Sequence, residues 1–223
     1  IGTAAMYNNT TGEYNFALGN DALKQNTSGS FNIGIGVAAL TSNTIGNRNI
    51  AIGNDALKNS TNKSYNIGIG ESALKNNTVG EYNIAVGSNS MENNSGSRNT
   101  AIGTEAMYLI VNGDDNTAIG YLALRTGTNG ARNVAIGNNT LMNNTTGSDN
   151  TAVGMQSLQL NTTGNNNVAV GRISLSSNTS GSDNSAFGTQ SLQSNTTGNS
   201  NVAVGRNSLY SNTLGYNNSA FGM

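Results

Sequence analysis

The chain has 223 residues, with ten Lys and Arg against eleven Asp and Glu, and no Cys, His, Trp or Pro. Disulfides, zinc sites, thiol nucleophiles and Ser–His relays are thereby excluded, and a net charge of −1 gives no electrostatic reason to bind nucleic acid or an acidic membrane. Only 35% of residues are apolar and 9% charged, against roughly 45–50% and 25% in an ordinary globular domain. No apolar run approaches the roughly 20 residues that span a bilayer, so no membrane insertion by this segment is expected. Disordered chains combine low hydrophobicity with high net charge, and this one does not.

A repeat organises the chain. The motif Asn-x-(Ala/Gly)-apolar-Gly first begins at Asn15 and last at Asn218, thirteen times in all, every 17 residues except for 16 between Asn83 and Asn99. Numbering the repeat 1–17 from Asn15 to Phe31, position 5 is Gly from Gly2 to Gly222, and position 15 is Gly in most copies. Glycine placed with this regularity answers to geometry. The expected fold is mainly β: a parallel β-solenoid, one array over residues 1–223 of about 13 rungs. The chain opens inside a motif and ends just after one, without atypical capping repeats, which points to an excerpt of a longer fibre chain.

Within each repeat the elements are read in chain order. Positions 1–5 alternate and are rich in Ile and Val, as in a short strand. Position 3 is only Ala or Gly, and position 4 is large and apolar from Leu18 to Phe221. Positions 6–11, such as Asn-Asp-Ala-Leu-Lys-Gln, suit either a helical turn or a second short strand, with Leu or Met always at position 9. Position 15 Gly, soon after Asn-Thr, predicts a turn with positive φ. Position 2 is apolar in Phe16, Ile33, Ile50, Ile67 and Ile84. A strand apolar at 2 and 4 and small at 3 reads as covered on both faces. A lone coil covers only one, so the array is predicted to be a homotrimer, intertwined or side by side. Thirteen rungs about 4.8 Å apart would give a rod on the order of 60 Å.

Several positions depart from the pattern. Tyr14, Phe31, Tyr65 and Tyr82 line position 17, interrupted by Arg48. They offer a contact surface that either stacks on sugar rings or packs between subunits. Lys63 replaces one position-15 Gly, read as drift in a turn. Arg98, Asp115, Arg132 and Asp149 occupy position 17 of successive rungs, an alternating ion-pair ladder; the rival, a calcium site, would need about six to eight oxygens without interleaved arginines. The run Met107–Gly113, with Tyr108 and Ile110, follows the 16-residue unit and reads as local repacking or an apolar contact patch. Gly127 at position 12 of the next unit extends the irregular region. Thr at position 13, from Thr10 to Thr213, suits hydrogen-bonded turns or a rank matching ice. Asn9, Asn26, Asn144, Asn161, Asn178 and Asn195 match the N-glycosylation pattern but also form a regular Asn column. The remaining acids, such as Glu71 and Glu105, are scattered, so no catalytic carboxylate pair stands out.

The strings Asn49-Ile-Ala-Ile-Gly53, Asn83-Ile-Ala-Val-Gly87 and Asn133-Val-Ala-Ile-Gly137 resemble the head repeats of trimeric autotransporter adhesins. The phrase running from Asn150-Thr-Ala-Val-Gly154 to Asn161-Thr-Thr-Gly164 is similar to repeats of phage and virus tail fibres and of large bacterial surface proteins. The resemblance spans the whole chain, although 17 residues exceed the usual adhesin-head repeat. It implies a trimeric parallel β-roll or β-helix displayed outside the cell or virion, working as a rigid shaft or an adhesive head. It brings no catalytic residues and no cofactor. The expected partners are other copies of the chain and a cell-surface glycan or protein receptor. The alternative is a ligand-binding solenoid that holds glycan or ice through its Thr or aromatic columns.

Overall fold

The computed structural model describes residues 1–109, 111–127 and 129–222. These form two compact units, residues 1–112 and 113–223. The first holds six strands, β1 Phe16–Leu18, β2 Ile33–Ile35, β3 Ile50–Ile52, β4 Ile67–Ile69, β5 Ile84–Val86 and β6 Thr100–Ile102. The second holds seven, β7 Thr117–Ile119, β8 Val134–Ile136, β9 Thr151–Val153, β10 Val168–Val170, β11 Ser185–Phe187, β12 Val202–Val204 and β13 Ser219–Phe221. In each unit consecutive strands pair in parallel and in register, as in Ile33↔Ile50, Gly34↔Ala51 and Ile35↔Ile52. Each unit is a parallel β-solenoid, and no helix occurs among the described residues.

The expected helical turn or second strand at positions 6–11 is not found. That stretch is a run of turns in which alternate amides point in different directions. At positions 8, 10 and 12 the N–H bonds within the rung: Ala22 to the Gly19 carbonyl, Lys24 to Asp21 and Asn26 to Leu23, at 3.3, 3.2 and 3.1 Å. At positions 7, 9 and 11 it reaches a neighbouring rung: Asp21 to Thr3, Leu23 to Ala39 and Gln25 to Thr41, at 2.9, 2.9 and 3.0 Å. A helix would direct all of these donors along its own axis. The alternation needs left-handed backbone at positions 7 and 9, and position 17 shares it. Asp21, Leu23 and Phe31 have φ of 58°, 51° and 62°, and the same three positions repeat in every rung. Side chains disfavour this region, so the repeat tolerates local strain in order to give its amides partners along the stack.

Position 15 corrects a second expectation. Positive φ among the glycines belongs to position 5, from Gly2 at 134° to Gly222 at 111°, and position 15 has none among the described residues. Position 15 is glycine for want of room. A Cβ on Gly29 would overlap the Gly46 carbonyl oxygen of the next rung and would meet Asn26 Oδ1 at 2.5 Å and Asn43 Nδ2 at 2.9 Å.

Alternation along the strand decides what is inside. Position 3 points inward, and Ala51, Ala85, Ala135 and Ala169 are fully buried. Position 9 faces it, and Leu40, Leu57, Leu74, Leu141 and Leu175 are also fully buried. The small residue at position 3 leaves room for this leucine: a Cβ on Gly34 would lie 3.4 Å from Leu23 Cγ. Positions 2 and 4 both point outward. Each rung therefore contributes one large apolar side chain to its core, Leu or Met, at roughly 1.5–3 kcal/mol for full burial.

Beside the small residue at position 8, such as Ala39 or Ser157, much of the remaining interior is asparagine. Position 1 Asn side chains clip the turn that closes their own repeat to the start of the next: Asn32 Nδ2 donates to the Gly46 carbonyl at 2.8 Å, and Asn32 Oδ1 accepts from the Asn49 amide at 2.9 Å. Position 12 forms a second ladder, with Asn43 Nδ2 donating to Asn26 Oδ1 at 2.8 Å and to the Gly46 carbonyl at 3.1 Å. The 16-residue unit loses its residue in this turn, where Asn94 Nδ2 reaches the Gly96 carbonyl two residues on. The adjoining strands keep their register, Ile84↔Thr100.

Lys63 now has a physical explanation. Its rung carries Ser60 at position 12, whose short side chain removes the asparagine amide that crowds position 15 in other rungs, as Asn26 and Asn43 crowd Gly29. Ser60 does not continue the ladder, and Asn43 Oδ1 and Ser60 Oγ are both buried without a hydrogen-bond partner. The double substitution Ser60→Asn with Lys63→Gly is expected to restore both contacts and stabilise the chain by about 1–3 kcal/mol, read from the urea midpoint. Ser60→Asn alone should gain less, because the Lys63 Cβ stands where the new amide must go.

Candidate functional surface

The outward-facing sides of the strands form a ribbon along each unit. In the first unit positions 2 and 4 hold Phe16 and Leu18, four Ile–Ile or Ile–Val pairs, then Thr100 and Ile102. In the second they hold Thr or Ser at position 2 of β7, β9, β11 and β13, and Val in the others, opposite Ile, Val or Phe. None is charged, and most are half-buried or exposed. Phe16 is 52% exposed, Leu18 40% and Phe187 42%. The sequence signal for this ribbon was the strict small residue at position 3 between two larger ones; which side faced inward was not legible from it.

Position 17 borders that ribbon, and the structure brings its aromatic residues together. Tyr14 and Phe31 stack with ring centroids 4.9 Å apart, as do Tyr65 and Tyr82. Arg48 joins the two pairs, its guanidinium 5.3 Å from the Phe31 ring centroid and 5.5 Å from that of Tyr65, and its Nη1 donates to the Tyr65 hydroxyl at 2.8 Å. Phe31 and Tyr65 thus have both ring faces covered within one chain. That closes face-on stacking of a sugar on these two rings.

Of the four residues of the expected ion-pair ladder, Arg132 and Asp149 meet directly. Arg132 Nε and Nη2 donate to Asp149 Oδ1 and Oδ2 at 2.7 and 2.8 Å. That forked bond holds the Asp149 carboxyl below the usual carboxylate range, and Asp115 adds a further attraction to Arg132. The pair is exposed to solvent and adds little to stability. Arg98 belongs to the first unit, where its amide donates to the Glu81 carbonyl at 3.0 Å.

A more sheltered ionic cluster was not anticipated. Lys58 and Lys75 each place Nζ 3.0 Å from an Asp55 carboxylate oxygen. The signal was available in hindsight: Asp55 and Lys58 stand at positions 7 and 10, and Lys75 one rung on at position 10. Burial pushes the Asp55 carboxyl up, but the two ammonium groups together outweigh it and hold the group below its ordinary 3.8.

Position 13 threonines donate to the next rung, as Thr27 Oγ1 does to the Thr44 carbonyl at 3.0 Å. Of the asparagines of the glycosylation pattern, Asn9 is half-buried and the other five are fully buried; Asn178 Nδ2 donates to Asn161 Oδ1 and the Gly181 carbonyl, both at 2.8 Å. A glycan on that nitrogen would displace both bonds. Of the irregular run, Tyr108 is half-buried, Leu109 and Val111 are exposed, and Ile110 lies outside the described residues. No cluster of acids that could hold a metal ion occurs among the described residues, and no helix among them is long and apolar enough to cross a membrane. Compared with family models, curated proteins and solved structures, the chain matches none.

Proposed function

We propose that this chain is a non-enzymatic structural segment of a homotrimeric fibre or adhesin displayed outside the cell or virion, serving as a shaft or an adhesive head. The observation that carries the reading is the uncharged ribbon at positions 2 and 4. An uncharged, largely apolar surface of this kind favours association, and another copy of the same chain repeats the same ridges at the same spacing. Three copies, as opposed to two, rest on the resemblance of the N-x-A-h-G strings to trimeric adhesin heads. In such a segment the function is mechanical: amide ladders and interchain burial resist unfolding, and no reacting group is required.

The test is the solution mass. Sedimentation equilibrium is expected to give three times the 22.9 kDa of one chain, and a monomer at micromolar concentration overturns the reading. The double substitution Ile50→Asp with Ile67→Asp places charges on the outer face of β3 and β4. It is expected to reduce the particle to a single chain while leaving the circular dichroism unchanged, because neither side chain belongs to the core. A trimer that survives this change does not associate through the ribbon of the first unit.

A further inference from the structure

We propose that Tyr65 and Tyr82 are an oxidative modification site, coupled to dityrosine by hydrogen peroxide acting through a haem peroxidase. The chain has eight tyrosines and no cysteine, so phenol coupling is a covalent staple open to it where a disulfide is not. These two rings occupy position 17 of neighbouring rungs, stacked at 4.9 Å with planes 10° apart. They are 40% and 54% exposed, so an oxidant reaches both, and exposed side chains rotate on a picosecond-to-nanosecond scale. The left-handed backbone at both positions, φ 62° and 60°, holds the two side chains side by side. Arg48 pins one member of the pair through its hydrogen bond to the Tyr65 hydroxyl, leaving Tyr82 to swing against it.

The reaction balances as follows. Each phenol gives up one electron and its hydroxyl proton, and the peroxide takes both electrons and both protons to become two waters. The two phenoxyl radicals join through ring carbons ortho to oxygen, forming one C–C bond. The hydrogens on those carbons leave as protons while the phenolic oxygens regain one each. The product closes a loop of one rung and restricts the unfolded chain as any short cross-link does. Tyr14 and Phe31 stack at the same distance but contain one phenol between them, and serve as an internal control. Both rings belong to one chain, whatever the number of chains in the assembly.

The test treats the full chain with peroxidase and hydrogen peroxide and digests it with trypsin. Cleavage after Lys63, Lys75 and Arg98 puts Tyr65 in peptide 64–75 and Tyr82 in peptide 76–98. The expected result is dityrosine fluorescence and one species joining these two peptides, lighter than their sum by two hydrogens. The treated chain keeps the electrophoretic mobility of a single chain. Tyr65→Phe and Tyr82→Phe, which retain the stacked rings, should each abolish that species. Coupling that survives either substitution, coupling only between separate chains, or no dityrosine at all overturns the proposal.

Discussion

Replacing Gly171 with alanine is expected to destabilise the chain by about 3–6 kcal/mol, as the sum of a glycine-only backbone and a steric overlap. The residue follows β10 and has φ of 137°, a conformation that an L side chain rarely adopts. Relaxing φ is blocked on one side by its amide, which donates to the Val153 carbonyl at 2.8 Å. On the other side an added Cβ would overlap the Gly188 carbonyl group, 2.6 Å from its carbon and 3.1 Å from the Thr189 nitrogen. Both obstacles are backbone, and the backbone of one rung moves only if the next moves with it. Guanidinium unfolding followed by circular dichroism should show the loss. Asn166→Gly is the matching control, since φ there is 56° and glycine relieves strain at that site. If Gly171→Ala proves as stable as the parent, the close approach between rungs at position 5 does not exist.

Asn167→Ala is expected to cost about 3–5 kcal/mol, because it orphans several buried groups at once. The Asn167 side chain is fully buried. Its Nδ2 donates to Asn150 Oδ1 and to the Gly181 carbonyl, at 3.1 and 2.9 Å. Its Oδ1 accepts from the amide and Nδ2 of Asn184, both at 3.1 Å. Alanine removes all four bonds and leaves a donor above and a carbonyl in the turn with no water to replace them. Asn167→Leu should do no better, since an apolar side chain satisfies none of these groups. The measurement is again the unfolding midpoint, with hydrogen exchange at the Asn184 amide as the local readout. That amide should lose protection in the variant even under conditions where the remaining rungs are intact. Unchanged protection would show that the ladder contributes nothing to that rung.

These two positions also show where reading the sequence succeeds and where it stops. The motif at Asn167–Gly171 was visible as strand and breaker; positions 4 and 9 both read as the large apolar residues of a thin core, and only the Leu or Met at position 9 is inside. The direction of the strand was not. Ile50 and Ile52 flank Ala51, and the pattern large–small–large equally suits a strand with its large residues in or out; inside a rung already filled by Leu57, only Ala51 fits. Glycine at position 15 was visible as a constraint, but its cause lay in Asn26, Asn43 and the Gly46 carbonyl, two of which belong to the next rung. Lys63 looked like drift because its explanation, Ser60 and the orphaned Asn43, requires the stack. Arg48 looked like an interruption of the aromatic column, whereas its guanidinium continues the stack between Phe31 and Tyr65.

By itself the sequence determined the period, the parallel β class, the strand in every repeat, and the exclusion of thiol and imidazole chemistry. Those follow from composition and spacing along one chain. Only the tertiary structure decided which faces were inside, why three non-glycine residues per repeat adopt left-handed backbone, and which side chains meet across rungs. Each depends on hydrogen bonds and contacts between residues 14 to 20 apart. Until the rungs are stacked, an asparagine in one has no amide to hold in the next.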